Sequence, residues 1–255
     1  MFFTFLDRLI TLSNFAFICL EGVTRMPLIS TGISGFDESV GGLPDRSVIL
    51  LLGGTGTGAD LFAQQFLFNS AKKGSRIVYI TIEKPPNDVR EELTSLGMNI
   101  APFESLKPPR WLFVDAFTPR RTQRQASVSL LTTLTDELTQ KIENSYTVID
   151  SISYLLLRYD IVDVMDGIEL LLHLSRDKGG IHFLIMNPYM HDPKTVHTIL
   201  HIVDGALEFH AEERGQTYLR SLSIRKMKKA SHKMRIVAFR LTEKGIVFEL
   251  ETRVA

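Results

Sequence analysis

Four glycines and two threonines fall within eight consecutive residues, between a stretch typical of a buried strand and one typical of a helix. The apolar run Val48 to Leu52 predicts the strand, and the apolar spacing from Leu61 to Ala71 predicts the helix. Glycine lets backbone N–H groups turn toward an anion, and a helix N-terminus adds partial positive charge, so this arrangement suits phosphate. The plain alternative is a turn that only joins the two elements, but the density of glycine favours a phosphate loop. The predicted nucleotide-binding residues are Gly53, Gly54, Thr55, Gly56, Thr57, Gly58, Ala59 and Asp60.

Two side chains depart from the usual phosphate-loop pattern of glycine, four residues, glycine, lysine, and serine or threonine. Gly53 and Gly58 keep the glycine spacing, but Ala59 stands at the lysine position and Asp60 at the hydroxyl position. In nucleoside-triphosphate hydrolysis the lysine neutralises the phosphates and the hydroxyl ligates magnesium. A unit charge about 4 Å away corresponds to roughly 4 kcal/mol at an effective dielectric near 20. We therefore expect weak binding of ATP and magnesium, no other cofactor and no efficient ATPase activity.

Two further carboxylates follow predicted strands. The apolar run Ile77 to Thr81 leads to Glu83, and the run from Thr147 leads to Asp150. They are either remnants of a hydrolytic site or partners of Asp60 in a cluster that binds a cation without nucleotide. A carboxylate at a strand end is most often only solvated or hydrogen-bonded, so the metal cluster, with Asp60 as a ligand, is the less favoured account.

The order of the predicted elements indicates the fold class. As far as Gly205, apolar strands such as Ile181 to Met186 alternate with helical patterns such as the one from Ile161 to Leu172. This alternation implies right-handed βαβ units and a mainly parallel central sheet flanked by helices. Beyond Ala206, strand follows strand, which predicts an antiparallel C-terminal extension at the sheet edge. The expected class is therefore α/β.

Composition describes an ordinary globular protein. The chain has 255 residues, of which 44% are hydrophobic and 23% are charged, and 29 basic residues balance 29 acidic ones. That balance gives no global field that would attract nucleic acid or an anionic membrane. The single cysteine, Cys19, rules out an internal disulfide and fits a reducing, cytoplasmic location.

Residues 1–25 differ in character from residues 26–255, which we predict to form one domain. This extension is rich in phenylalanine, and its longest mostly apolar part, Leu9 to Leu20, is short for a transmembrane helix. It is an amphipathic anchor for a membrane or partner, a helix packed on the domain, or sequence upstream of a true start at Met26. The position of Met26 directly before the domain favours the third reading. A membrane partner is expected only if the extension is genuine.

A basic run near the C-terminus raises the possibility of nucleic-acid binding. Between Leu219 and Arg235 there are seven basic residues and no acidic one, and Arg120, Arg121 and Arg124 form a second small cluster. The neutral overall charge and the lack of aromatic residues among the basic ones count against this reading. One solvated face of a strand pair explains the run equally well. The seven residues are Arg220, Arg225, Lys226, Lys228, Lys229, Lys233 and Arg235.

In order and spacing, these segments together resemble the RecA-like ATPases, most closely the KaiC-like branch, from about Leu28 to Leu250. The opening segment Ser30 to Asp37 and the Gly-Gly-Leu-Pro turn from Gly41 are similar to the entry motif of that family. Further similar segments are the phosphate loop, Thr81 to Pro86, Val148 to Ser151, Thr198 to Gly205 and Lys226 to His232. The resemblance implies a RecA-like fold with a phosphate loop.

The resemblance also implies roles for single residues. Glu83 takes the position of one of two paired glutamates that polarise the attacking water, and Lys84 stands at the second. Asp150 takes the position of the aspartate that holds the magnesium shell. Lys226 and Lys228 take the positions of cations that reach the nucleotide of a neighbouring subunit, although Lys228 stands where arginine is usual. The expected partners are therefore copies of this chain or related KaiC-like subunits.

The departures in the loop predict a regulatory or scaffolding protein that has lost efficient catalysis and acts through assembly. One alternative is a slow or unconventional ATPase in which Lys84, Lys226 or Lys228 substitutes for the missing loop lysine. A second alternative is a nucleic-acid-binding module built on the same fold.

Overall fold

The computed structural model of the chain describes residues 27–118, 134, 136–137, 139–228 and 236–249. The extension 1–25 and the cluster of Arg120, Arg121 and Arg124 lie outside the described residues. Of the basic segment that begins at Lys226, the structure describes the residues as far as Lys228, and Lys229, Lys233 and Arg235 also lie outside the described ranges.

Most strands belong to one nine-stranded sheet. A separate antiparallel pair joins β1 (Leu28–Ile29) to β2 (Leu43–Pro44). The large sheet contains β3 (Ser47–Gly53), β4 (Arg76–Thr81), β5 (Trp111–Asp115), β6 (Ser145–Asp150), β7 (Ile181–Met186), β8 (Gly205–Arg214), β9 (Thr217–Met227), β10 (Ile236–Thr242) and β11 (Gly245–Phe248). Its strand order is β11-β10-β9-β8-β3-β7-β6-β4-β5.

Helices connect the strands and cover the sheet. The helices whose bounds fall within the described residues are α1 (Phe36–Val40), α2 (Ala59–Lys72), α3 (Pro86–Ser95), α4 (Ala101–Glu104), α5 (Ile152–Arg158), α6 (Ile161–Lys178) and α7 (Pro193–Ile202), with a short 3-10 turn at Pro188–Met190. Within the described ranges, no helix combines the length and the apolar character needed to cross a membrane.

Six neighbouring strands, from β8 to β5, run parallel. Every residue of β3 and of β7 is buried, because helices cover both faces of this part of the sheet. On one face Phe62 and Phe66 of α2 pack edge-on against Phe183 of β7, at ring distances of 6.2 and 5.1 Å. On the other face the core is formed by α5, α6 and α7, with Ile168 and Ile199 fully buried. The continuous apolar runs in the sequence are thus strands buried on both sides.

The last four strands of the sheet are antiparallel. The predicted α/β fold, with a mainly parallel sheet and an antiparallel C-terminal extension, is therefore confirmed. The register also fixes which end of β9 approaches the glycine loop. Phe209 of β8 pairs with Gly53 at the carboxyl end of β3, whereas Lys226 pairs with Ala206, which is level with Leu50.

Gly180 lies where β6 and β7 approach each other closely, at the edge of the sheet away from the glycine loop. Its φ is +94°, its carbonyl accepts from the Ser47 backbone N–H, and an added Cβ would lie 2.1 Å from the Ser145 carbonyl oxygen. Gly180→Ala should lower the free energy of unfolding by about 2–5 kcal/mol, because left-handed strain and overpacking add. Urea unfolding measures this change.

Gly74→Ala is the matched control, since its φ is +105° but nothing lies within 4 Å of an added Cβ. This variant should lower the free energy of unfolding only by the left-handed backbone strain, about 1–2 kcal/mol. Equal losses in the two variants would contradict the close approach of β6 and β7 at Gly180.

Candidate functional site

The glycine loop joins β3 to α2 at the carboxyl edge of the parallel strands. Gly56 and Gly58 have positive φ values of 77° and 96°, and Gly58 directly precedes the first residue of α2. Thr57 closes the loop, because its backbone N–H and its hydroxyl both donate to the Gly54 carbonyl, at 3.2 and 2.7 Å. The predicted strand–loop–helix arrangement is present, and the carboxyl edge of a parallel sheet is where α/β proteins commonly bind ligands.

The two substituted positions lie at the first turn of α2. Ala59 is buried, so a methyl group occupies the place from which a loop lysine would extend. Asp60 is exposed, and its Oδ1 accepts from the Leu61 backbone N–H at 2.9 Å. A carboxylate at this end stabilises a helix, because it offsets the partial positive charge of the free N–H groups. The same carboxylate would repel a phosphate bound to those N–H groups.

Asp150 and Glu83 are brought together beside the loop. The Ile82 N–H donates to the Asp150 carbonyl at 2.8 Å, which extends the pairing of β4 with β6 past the strand ends. The Ser151 hydroxyl then donates to Glu83 Oε1 at 2.5 Å. The negative charge of Asp60 is close enough to raise the pKa of the Asp150 carboxyl. The structure therefore gathers three of the predicted carboxylate positions at one edge of the sheet.

A buried hydrogen-bonded chain holds the Asp150 side chain, and sequence reasoning did not find it. The Tyr79 hydroxyl donates to Asp150 Oδ2 at 2.8 Å, and Gln64 Nε2 of α2 lies 3.3 Å from the same hydroxyl. Tyr79 is fully buried and Gln64 nearly so. Two polar side chains among apolar neighbours in β4 and α2 were the available signal, because buried polar groups are almost always hydrogen-bonded.

Burial sets the acidity of Asp150. It raises the pKa of that carboxyl from 3.8 to about 6. The Tyr79 hydrogen bond and the charge of Lys84 act in the opposite direction, whereas the negative charges of Asp60 and Glu83 add to the increase.

Lys84 forms an ion pair with α3 at the rim of the site. Its Nζ contacts both carboxylate oxygens of Glu92, at 2.7 and 2.8 Å. Burial has the largest single effect on the pKa of Lys84 and lowers it, but the hydrogen bond and charge of Glu92 together with the charges of Asp150 and Asp60 outweigh it, so the pKa is raised. The Thr81 hydroxyl donates to the Lys84 carbonyl at 2.5 Å and fixes the turn.

The side chains of the site do not suit a magnesium-bound triphosphate. The loop contains neither the lysine nor the metal-binding hydroxyl of the usual pattern, and Asp60 brings a second negative charge near Asp150. Among the residues that the structure describes, no three histidine, cysteine, aspartate or glutamate side chains form a group that could hold a metal ion.

Lys226 and Lys228 lie at the opposite edge of the sheet from their own loop. Lys226 pairs with Ala206, which is level with Leu50, three residues or about 10 Å along β3 before Gly53. Lys226 Nζ donates to the Leu200 and His201 carbonyls at the end of α7, at 2.9 and 2.7 Å. Lys228 Nζ lies 3.8 Å from Asp204 Oδ1. Neither lysine reaches its own loop, so contact with a bound phosphate requires a neighbouring subunit.

Arg220 is a cation that the structure brings to the loop, and sequence reasoning missed this role. Its Nε donates to the Gly56 carbonyl at 3.4 Å, and its guanidinium lies 5.4 Å from the Tyr218 ring. The alternation of β9 contained the signal, because Arg220 falls on the same face as the buried Leu222 and Ile224.

The basic run is divided in the folded chain. Arg220 lies at the loop, Arg225 pairs with Glu208 at 3.1 Å, and Lys226 and Lys228 lie at the far edge. In the described part of the run, the basic side chains therefore form no continuous stripe of the kind that follows a nucleic-acid backbone.

Comparison with known proteins extends these observations. The family described as "ATPase: KaiC" matches residues 29–253. A UPF0273 protein, PH0284 of Pyrococcus horikoshii, is 30% identical over 234 residues, covering 86% of this chain and 92% of its own length. A UPF0273 protein of Thermotoga maritima is 29% identical, covering 86% and 94%. The crystal structure of the KaiC-like protein PH0186 from Pyrococcus horikoshii has a TM-score of 0.71 and 26% identity, covering 88% of this chain and 99% of that one.

Replacement of Asp150 tests its environment. Because the folded-state pKa, about 6, lies above the ordinary 3.8, the folded protein favours the neutral carboxyl. The cost of ionising Asp150 is absent below pH 3.8, grows up to pH 6 and is complete above it. Asp150→Asn, which keeps an acceptor for Tyr79, should therefore raise the free energy of unfolding by about 1–2 kcal/mol at pH 8, and should have no effect near pH 3.5. Denaturant unfolding at both pH values measures this, and a loss of stability at pH 8 would contradict it.

Proposed function

This chain belongs to the KaiC family of ATPase domains, and on that premise we propose that it is a catalytically impaired member with a regulatory or scaffolding role. It acts through assembly with copies of itself or with related KaiC-like subunits. The observation that carries the proposal is a glycine loop between a strand and a helix whose side chains differ from the usual phosphate-loop pattern. Ala59 is buried where a lysine would extend, and Asp60 occupies the first turn of α2.

Electrostatics argues against tight binding of a triphosphate. Compared with the usual loop, one positive charge is missing and one negative charge is added beside the phosphate position. A unit charge at about 4 Å is worth roughly 4 kcal/mol at an effective dielectric near 20, and about 1.4 kcal/mol is a tenfold change in affinity. Even with strong screening at the exposed Asp60, affinity should fall by orders of magnitude.

The hydrolytic step is weakened as well. Glu83 is present, but its carboxylate accepts from Ser151, and the adjacent position is Lys84, which pairs with Glu92. A positively charged side chain cannot act as a second general base for water. The transition state also lacks the cation that stabilises charge on the transferred phosphoryl group.

Arg220 favours a second candidate function, a slow or unconventional ATP-binding protein. Its guanidinium lies at the Gly56 carbonyl and provides a cation at the loop that the loop itself lacks. In this second account Arg220 and Lys84 substitute for the missing loop lysine. The sequence analysis also made Lys226 and Lys228 candidates for that substitution. Nucleic-acid binding has no comparable support among the described residues.

Assembly is the first property to test. We expect weak self-association through the edge that carries Lys226 and Lys228, because no tightly bound triphosphate bridges the subunits. Reversing both lysines to glutamate should shift the sedimentation profile further toward monomer at high protein concentration. A strictly monomeric unmodified protein, unchanged by the two reversals, would contradict the expectation.

Repair of the loop tests the catalytic part. Ala59→Lys combined with Asp60→Thr should restore binding of magnesium-ATP, because lysine supplies the missing charge and threonine the missing hydroxyl. Asp60→Thr alone should help partly, since it removes repulsion without adding attraction. Hydrolysis should return less fully than binding, because Lys84 remains. Calorimetry and phosphate release measure the two effects.

The two single variants and the unmodified protein are the controls for this repair. A folded double variant that still binds no nucleotide would mean that the loop backbone does not form a phosphate site. Micromolar binding by the unmodified protein would mean that another cation, such as Arg220, already compensates.

A further inference from the structure

Three polar side chains are buried at the edge of the sheet away from the glycine loop. His182 lies on β7, Thr147 lies on β6, and Ser175 lies in the last turn of α6. All three residues are fully buried. Among the residues that the structure describes, no donor or acceptor lies within hydrogen-bonding distance of His182 Nδ1, Thr147 Oγ1 or Ser175 Oγ. Such atoms are uncommon in folded proteins, because leaving a buried polar atom without a partner is costly.

Strand register and one backbone residue bring these side chains together. Thr147 and His182 are paired residues of the parallel strands β6 and β7, so their side chains lie on the same face of the sheet. This face is the one covered by α6, because Val48, which pairs with His182 from β3, packs in the same core as the α6 residues. The Gly179 N–H donates to the Ser175 carbonyl at 3.1 Å, and the Gly179 carbonyl lies 3.2 Å from His182 Nε2. The three polar atoms without partners therefore lie in one region between α6 and the sheet.

The Gly179 carbonyl determines the hydrogen-bonding roles of the histidine. A carbonyl oxygen only accepts, so its contact with Nε2 requires that this nitrogen carry a proton. Burial lowers the pKa of His182 to about 4, so the ring is neutral at pH 7 and Nδ1 is an acceptor without a proton. The hydroxyls of Thr147 and Ser175 can each donate one hydrogen bond and accept others.

The ligand that suits these atoms is small, uncharged and able both to donate and to accept. Among the described residues, no charged side chain shifts the pKa of His182, so the region offers no counter-charge to an ion. Burying an ion without a counter-charge is strongly unfavourable. A water molecule can donate to Nδ1 and exchange hydrogen bonds with the two hydroxyls, and about three such partners are usual for a buried water.

We propose that His182, Thr147 and Ser175 form a binding site for one internal water molecule, which joins the last turn of α6 to β6 and β7. The inference is independent of the proposed function, because the site lies at the opposite edge of the sheet from the glycine loop. The water gives each of the three buried atoms a partner. Ser175 follows the apolar residues of the buried face of α6, so the water continues the contact of this helix with the sheet.

A cycle of variants in the full chain tests the site by the sign of the change in stability. Thr147→Val and Ser175→Ala each remove one hydroxyl and change the volume little. Each should raise the equilibrium constant of unfolding about two- to tenfold, because a hydrogen bond to the water is lost while the other polar atoms stay buried. The double variant should raise it by less than the product of the two single effects, since the first change already weakens the binding of the water. Urea unfolding measures these constants.

Ser47→Ala is the matched control, because the Ser47 hydroxyl is also buried but donates to a protein group, the Pro44 carbonyl, at 2.6 Å. It should raise the unfolding constant by a similar factor, and its effect should multiply with that of Thr147→Val, since the two hydroxyls share no partner. Stabilisation by Thr147→Val and by Ser175→Ala would overturn the inference, because replacing a buried hydroxyl that lacks a partner with an apolar group is favourable.

A high-resolution crystal structure of the unmodified protein tests the site without any substitution. It should show one ordered water within about 3.2 Å of His182 Nδ1, Thr147 Oγ1 and Ser175 Oγ. The nitrogen chemical shifts of the His182 ring at pH 7 should show the proton on Nε2. A hydroxyl bonded directly to Nδ1 with no water between them, or a proton on Nδ1, would contradict the proposal even if both variants were less stable.

Discussion

Two opposed electrostatic effects at the N-terminus of α2 determine what the site can bind. The free N–H groups at the start of this 14-residue helix, together with the loop glycines, form a place where an anion is favoured. Asp60 provides a negative charge from within the chain at that same place, which stabilises the helix and opposes a phosphate. The strand, glycine loop and helix of the usual pattern are thus present, while the first turn of α2 carries a negative charge, the opposite of what a triphosphate needs.

The altered positions are related by charge. In the proposed correspondence with the family pattern, the lysine, the hydroxyl residue and the second glutamate have formal charges of +1, 0 and −1, and Ala59, Asp60 and Lys84 have 0, −1 and +1. Both sets sum to zero, but in this proposal the positive charge lies at the turn after β4 and not at the loop. There Glu92 holds it, while Arg220 approaches the loop from β9. The local charge balance is preserved, and its geometry is changed.

Sequence patterns predict the fold well where burial is complete. The apolar runs of β3 and β7, and the change to consecutive strands after Ala206, follow from which faces the helices cover. The glycine loop and the gathering of Glu83 and Asp150 at its edge also follow, because parallel strands end on one side. The contacts of Tyr79 with Asp150 and of Arg220 with Gly56 do not, because strand register brings together segments that lie far apart in the sequence. The Lys84–Glu92 pair does not follow either, because it depends on how the turn after β4 enters α3.

Calorimetric titration of the unmodified chain with magnesium-ATP tests the central claim, that the loop keeps its backbone but has lost the charge that binds a triphosphate. The account predicts a dissociation constant weaker than about 1 mM, which corresponds to roughly −4 kcal/mol. A dissociation constant in the micromolar range would contradict it, because the missing positive charge at Ala59 and the negative charge of Asp60 would then not decide whether the nucleotide binds.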